Sequence, residues 1–365
     1  MLAALAAATG VACSCGGERP EAREPRAVRE EVRETRETRT VTAPAPAVAP
    51  SVVVHRELGT LPSELEGLQW PAAPRIEREV RATCERASDC AATVQRAIDV
   101  AGTRVRVAGR VDEPVGVHAS DVEILIEQGG RLERIVIDPG VQRVRIAGGE
   151  VGSIELLPPA RWDPDATYDE ALFVTDVTLE DLRIEASDSA FVIRGRRVAV
   201  LGCDVTAERY SLWAGDTGPL DGEDLIIADN TFRSAGPEST LRMHDVRRSV
   251  VVRNVLSNGN KHDYRVHGRG DLAYASHNVL LRTGIMIGTQ PGDRVGTVIF
   301  EDNVLYQEMP SMLEIDFPAI RRLVLRNNTV YTDRWDSFYP YPRVGDGWTV
   351  EGNRRFPFRA YQPPG

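Results

Sequence analysis

Residues 225–232 read LIIADNTF, an apolar strand that ends in a short polar turn and is followed by another apolar position. The pattern recurs in five later segments: 250–256 (VVVRNVL), 273–281 (AYASHNVLL), 298–306 (VIFEDNVLY), 323–331 (LVLRNNTVY) and 348–353 (WTVEGN). An asparagine marks each turn, 24 or 25 residues after the one before: Asn230, Asn254, Asn278, Asn303, Asn328 and Asn353. A unit of this length is too short to bury its own apolar face, so neighbouring copies must stack.

The asparagine series predicts how the stacked coils bond to one another. Amide side chains at one repeated position can hydrogen-bond from coil to coil. Cys203 lies 27 residues before Asn230 and occupies the same position, which predicts a buried structural cysteine. Further strands begin near Val105, and the whole series amounts to roughly ten coils of about 25 residues. The predicted class is therefore an all-β solenoid.

Composition excludes one class of function. The 365-residue chain has a formal net charge of −10, and Lys261 is its one lysine. A nucleic-acid binder needs a basic surface along the phosphate backbone, so no nucleic-acid partner is expected.

The N-terminal residues 1–17 resemble an export signal. The apolar stretch MLAALAAATGVACSC is too short to span a bilayer. Its run GVAC resembles a bacterial lipobox, which implies lipidation of Cys13, with Cys15 as a second candidate. We expect an exported monomer, either secreted or held at the cell envelope by this lipid alone.

Composition divides the rest of the chain into a linker, a folded domain and a tail. Residues 18–80 are first rich in alternating charges and then in proline and alanine, which predicts a disordered linker. The folded domain is expected over 84–356, with a tail at 357–365. Two proline- and aromatic-rich inserts, 156–170 and 332–347, are loops of the kind that covers or walls a site.

One short helix is predicted at the start of the folded domain. Asp89 is a suitable N-cap for the segment AATVQRAIDVA, and Gly102 a suitable stop. Such a helix would cover the open apolar end of the solenoid. Cys84 and Cys90 are close enough in sequence to form a disulfide bond after export.

The coil pattern with its asparagine turn and capping helix resembles the right-handed parallel β-helix of the pectate-lyase-like superfamily. This resemblance implies three strands per coil and a long face that binds polysaccharide. That face would be formed by the strands after the asparagine turn: AFVIRG, YSLWAG, TLRMHD, YRVHGR, GIMIGT and SMLEID.

Alternation within these strands predicts which side chains point outward. Arg242 with His244 and Arg265 with His267 would form two adjacent Arg-His pairs. The remaining coils would expose five further residues as substrate-binding candidates: Arg194, Trp213, Met286, Glu314 and Asp316. Arginine neutralises carboxylates, histidine transfers protons near neutral pH and tryptophan stacks on sugar rings, so the surface suits a uronate polysaccharide.

Residues 225–268 are also similar to the alginate lyase and chondroitinase B family of polysaccharide lyases. Arg242 in LRMH matches that family's arginine. The family lysine lies one coil earlier, where this chain has YSLWAG, so Lys261 does not match it. The resemblance implies β-elimination: Arg242 and Arg265 would hold the carboxylate, and His244 or His267 would be the base. Lys261 or the other histidine would then protonate the leaving oxygen.

Alternatives to a lyase remain open. A glycoside hydrolase needs two carboxylates, for which Glu314 and Asp316 are candidates. No metal ligand is assigned; Ca²⁺ is the cofactor left open, either there or at the acidic loop with Asp216, Asp221, Glu223 and Asp224. The third alternative is a non-catalytic protein, surface-anchored, that binds polysaccharide or acts as a rigid spacer.

Overall fold

Three parallel faces of stacked strands form the molecule. The computed structural model describes residues 57–83, 87–159, 170–215, 222–258, 261–282, 284–288, 291–307, 313–315, 319–333 and 347–358. Every strand pairing in these residues is parallel and joins one coil to a neighbouring coil, giving a β-helix of about nine turns. This confirms the solenoid class predicted from the repeat.

The first face is a sheet of twelve strands within the described residues. Its strands are β1 Arg78–Ala82, β2 Thr103–Val107, β5 Val122–Ile126, β7 Gln142–Ala147, β9 Val174–Glu180, β12 Gly195–Leu201, β15 Glu223–Ala228, β18 Arg248–Val252, β21 Arg269–Ser276, β24 Arg294–Glu301, β27 Ile320–Arg326 and β29 Trp348–Glu351.

The second and third faces follow the first in each coil. The second face contains β3 Arg110–Val111, β10 Arg183–Ala186, β13 Asp204–Ala207, β16 Thr231–Ser234, β19 Val255–Asn258, β22 Val279–Arg282, β25 Val304–Gln307, β28 Thr329–Tyr331 and β30 Arg354–Phe356. The third face contains β4 Val115–Val117, β11 Phe191–Ile193, β14 Leu212–Ala214, β17 Leu241–His244, β20 Tyr264–His267, β23 Ile285–Ile287 and β26 Leu313–Ile315. The longer strands β6 Arg131–Ile137 and β8 Glu150–Leu156 pair with strands of both faces.

The asparagine series forms the predicted hydrogen-bonded ladder at the turn between the first and second faces. Each asparagine amide oxygen accepts hydrogen bonds from the backbone N–H and, where it is an asparagine, the side chain of the preceding position, at 2.8–3.1 Å. Each side-chain nitrogen also donates to a carbonyl of the first face, as Asn278 does to Val251 at 2.8 Å. Cys203 is a buried cysteine at the first of these positions, as predicted, and its thiol donates to the Leu201 carbonyl oxygen at 3.5 Å.

Helix α1, Ala87–Ile98, closes the N-terminal end of the stack. Its residues Cys90, Val94 and Ile98 join the interior core, and the helix packs against strands β1 to β4. The predicted helix began later, after an Asp89 N-cap, whereas Asp89 lies inside the observed first turn. Cys90 is disulfide-bonded; its predicted partner Cys84 lies outside the described residues.

The outer surface of the first face changes character along the stack. Near the helix it carries an ion-pair network, in which Arg145 pairs with Glu123 at 2.6 Å and with Glu180 at 2.8 Å. From β12 onward the same surface is apolar, and it forms a second buried cluster: Ala199, Leu201, Ile226, Ala228, Val250, Val252, Leu272, Tyr274, Ile299 and Val324.

Residues 57–77, which we call the N-terminal strap, cover this apolar surface. Leu65 is buried in the second cluster, and four partly buried side chains pack against it: Leu58, Leu61, Leu68 and Trp70. The backbone N–H of Arg75 donates to Asp121 at 2.9 Å, that of Ala72 donates to Asp176 at 3.1 Å, and Glu64 pairs with Arg322 at 2.5 Å. The strap therefore runs from the first coils to β27.

The strap corrects the predicted linker boundary. The linker was expected to reach residue 80, but residues 57–77 lie on the first face and Arg78–Ala82 pair with β2. The leucines of the strap do not follow the 24- or 25-residue coil repeat, so that repeat did not reveal their role. Residues 1–56 lie outside the described residues.

Candidate functional site

Strands β14, β17, β20, β23 and β26 bring the predicted site residues together on the third face. Trp213 lies beside Arg242, and Arg242 lies beside Arg265. Arg265 is followed by Met286 and Glu314 in the same register. His244 lies opposite His267. The strand register thus has the predicted order of residues from Trp213 to Glu314.

The burial of these residues differs from the expected solvated surface. Arg265 and His267 are 6% and 3% exposed, Met286 is also buried, and Trp213, Arg242 and His244 are half-buried. Residues from the connections before β14 and β17 contact these side chains. Tyr210 bonds to Arg242, and Glu238 lies near Arg265.

Arg242 is held by two hydrogen bonds and two aromatic rings. Its Nη1 donates to the Tyr210 hydroxyl at 3.0 Å, and its Nε donates to His267 Nε2 at 3.1 Å. The guanidinium carbon lies 5.1 Å from the Trp213 ring centre and 5.7 Å from that of Tyr210, within range of a cation–π interaction. This guanidinium is therefore fixed in orientation, as recognition of a carboxylate requires.

The hydrogen bond from Arg242 fixes the tautomer of His267. A guanidinium only donates, so His267 Nε2 must be the acceptor and the ring proton lies on Nδ1. Burial, and after it the charge of Arg265, lowers the pKa of His267 to about 2, so the ring is neutral near pH 7. The His244 ring lies 4.5 Å from it, and His244 Nδ1 is 3.7 Å from Asp245 Oδ2.

Glu238 connects the remaining charged groups. Its Oε2 lies 3.1 Å from Lys261 Nζ and 3.8 Å from Arg265 Nη1. Burial opposes its ionisation, but hydrogen bonds from Lys261 and Tyr210 outweigh that effect and lower the pKa of this carboxyl group. We call Tyr210, Glu238, Arg242, Lys261 and Arg265 the basic cluster.

Arg265 is poorly compensated in this cluster. Its buried Nε has no hydrogen-bond partner among the described residues. Burial, and after it the neighbouring Arg242, lowers the pKa of Arg265, although a guanidinium remains protonated in proteins. A buried positive charge so placed favours binding of an anion.

The remaining predicted binding residues have other surroundings. Arg194 lies over the Trp213 ring at 5.5 Å and 3.6 Å from Glu155. Glu314 lies in β26, but its side chain is outside the description, as are Asp316 and Cys13. The described residues therefore give no position for either carboxylate of the hydrolase alternative.

The described residues contain no group of three or more acidic, histidine or cysteine side chains arranged to hold a metal ion. In the acidic loop, Glu223 pairs with Arg247 at 3.0 Å and Asp224 with Arg248 at 2.6 Å. The other two members, Asp216 and Asp221, lie outside the described residues. The two described carboxylates of this loop are therefore each paired with an arginine.

Sequence reasoning missed Tyr210 and Glu238. Both precede third-face strands, where the conformation follows no repeat. Glu238 and Lys261 nevertheless lie three residues before the first residues of β17 and β20, Leu241 and Tyr264. Aligning the connections as well as the strands would have placed these two opposite charges next to each other.

Comparison with known proteins adds no relative: no protein-family model, curated protein or solved structure matches this chain. In the described part of the chain, no helix has the length and apolar character needed to cross a membrane. The described residues therefore form a parallel β-helix with a basic cluster on its third face.

Proposed function

We propose that this protein binds an acidic, uronate-containing polysaccharide along its third face. The observation that carries the proposal is the alignment of Arg242 and Arg265 in adjacent coils, with Lys261 beside them. Lys261 and Arg265 lie near the carboxylate of Glu238, and Arg242 contacts Tyr210, although the whole chain has a net charge of −10. Trp213 lies in the next coil and supports Arg242, whose guanidinium carbon lies 5.1 Å from the centre of its ring.

Binding to polygalacturonate and alginate, compared with neutral dextran, tests the proposal. Arg242→Ala is expected to weaken binding to the acidic polymers at least about tenfold, because one charge-assisted contact contributes about 1.5–3 kcal/mol. Arg233→Ala is the matched control, since Arg233 pairs with Asp204 on the second face and its loss changes the net charge equally. The proposal fails if the two variants bind equally well, or if the wild-type protein binds neither acidic polymer.

Cleavage by β-elimination is the second candidate, favoured by a phenol in contact with the carboxylate-binding arginine. In this reaction a base removes the C5 proton, the C4–O bond breaks, a C4–C5 double bond forms and the leaving oxygen takes up a proton. Burial raises the pKa of Tyr210, so its hydroxyl carries a proton at neutral pH and can supply it. His267 is unsuited as the base because its Nε2 is engaged by Arg242, which leaves His244 as the histidine for that role.

Ultraviolet absorbance distinguishes cleavage of the polysaccharide from binding alone. Elimination yields an unsaturated sugar that absorbs ultraviolet light, whereas binding alone leaves the polymer intact. Increasing absorbance with any uronate polymer would establish a lyase; binding without such an increase would establish a non-catalytic binding protein.

A further inference from the structure

Glu238 lies where the acid group of a ligand would enter the proposed polysaccharide site. Glu238 belongs to the connection between β16 and β17, and its carboxylate faces Lys261, Arg265 and the Tyr210 hydroxyl. The base of this connection is closely packed, because a Cβ on Gly236 would lie 1.8 Å from the Glu208 carbonyl oxygen. The backbone of the connection is therefore closely packed two residues before Glu238.

The groups around Glu238 provide more positive charge and hydrogen-bond donors than one carboxylate uses. Arg265 lies at the longer distance of 3.8 Å, and its buried Nε has no hydrogen-bond partner among the described residues. Tyr210 links the same carboxylate to Arg242, since its hydroxyl donates to Glu238 and accepts from Arg242. The donors that hold Glu238 are those that a carboxylate ligand would use.

The exposed fractions of these side chains indicate the order in which a ligand would meet them. The Glu238 side chain is 25% exposed and that of Lys261 is 34% exposed, whereas that of Arg265 is 7% exposed. A ligand arriving from solvent meets Glu238 before it reaches Arg265. A side-chain rotation of Glu238 would open the way, with no movement of the packed backbone.

We propose that Glu238 is an internal ligand in a carboxylate subsite, which a uronate carboxylate enters by displacing it from Lys261, Arg265 and Tyr210. The inference rests on the proposed polysaccharide binding and specifies the subsite for the acid group. It makes Glu238 a competitor of the ligand. If Glu238 instead positioned Lys261 for binding, replacing Glu238 would weaken ligand binding. Whether its replacement strengthens or weakens binding therefore decides between the two roles.

The experiment measures binding of oligogalacturonate and of dextran sulfate to Glu238→Gln at constant ionic strength. Glutamine keeps the size of the side chain but lacks the charge, and charged hydrogen bonds are roughly twice as strong as neutral ones. We expect Glu238→Gln to bind oligogalacturonate about fivefold more tightly than the wild-type protein. Glu127→Gln is the matched control, because Glu127 has the same 25% exposure and pairs with Arg81 at 2.8 Å, away from the site.

Two further comparisons identify the subsite and its ligand class. Adding Arg265→Ala to Glu238→Gln should remove the gain, since Arg265 is the partner that the ligand reaches. Dextran sulfate should gain less than oligogalacturonate; an equal gain would overturn the assignment to carboxylates.

The failure of this inference differs from the failure of the proposed function. If the wild-type protein binds through Arg242 but Glu238→Gln binds more weakly, equally well, or no better than Glu127→Gln, the displacement proposal is wrong and polysaccharide binding stands. If neither protein binds, both proposals are wrong.

Discussion

Two buried histidines lie beside the basic cluster and are held neutral by the fold. Burial, and after it the charges of Arg265 and Lys261, lowers the pKa of His262 to about 4, and His267 titrates near 2. An unfolded histidine has a pKa of about 6.5. Between these values the unfolded chain binds more protons than the folded one, so the free energy of unfolding falls as the pH falls below about 6.5.

Lowering the pH from 7.5 to 5.5 is therefore expected to cost about 2–3 kcal/mol of stability from these two residues together. Urea unfolding at the two pH values measures the loss. His262→Gln combined with His267→Gln should reduce this pH dependence, while His118→Gln should preserve it, because His118 is exposed. A pH dependence unchanged in the double variant would contradict the assignment.

The sequence predicted the strand side chains of the site but not those of its connections. Arg242 and Arg265 were placed correctly because the repeat fixes the register and alternation fixes the outward side. Tyr210 and Glu238 lie in connections of different length, where position in the repeat does not determine orientation. The partial burial of the face follows from these connections, so it was missed for the same reason.

At the level of elements, the strap shields the apolar outer surface of the first face from water. Its apolar surface from β12 to β27 consists of aliphatic residues and Tyr274, and Leu65 is the strap residue buried most deeply among them. An exposed apolar sheet surface promotes association, so the strap has a protective role.

Leu65→Ala is expected to lower the free energy of unfolding by about 2–4 kcal/mol or, if the strap detaches locally, to increase binding of a hydrophobic dye. Leu172→Ala is the control, since Leu172 is 52% exposed elsewhere on the chain. Equal unfolding free energies and equal dye binding in the two variants would show that the strap contributes little.

At the level of the whole molecule, the asparagine ladder couples each coil to the next. Asn278 lies within the ladder, and its side chain makes four hydrogen bonds: it accepts from the backbone and side chain of Asn254 and donates to Val251 and Asn303. Asn353 is the last member in the described residues and is less buried. Stability in a solenoid is close to a sum over neighbouring repeats, so an internal position should matter more than a terminal one.

Asn278→Ala is expected to destabilise the protein by about 3–5 kcal/mol, because it leaves buried backbone groups of Asn254 and Val251 without partners. Asn353→Ala should cost about 1 kcal/mol. Chemical unfolding of the two variants measures the difference, and equal losses would mean that the ladder does not act as a chain of neighbouring contacts.

The route of the strap has a consequence for the order of folding. Its residues precede all the coils in the sequence, yet the surface it binds includes Ile299 and Val324. During synthesis this segment therefore emerges before the coils and finds its complete binding surface only after the last of these strands has been made. The coils form from contacts between neighbours, whereas strap docking closes a loop of more than two hundred residues, as the 258-residue separation of Glu64 and Arg322 shows. We expect strap docking to be the final step of folding, preceded by an intermediate with assembled coils and an uncovered first face.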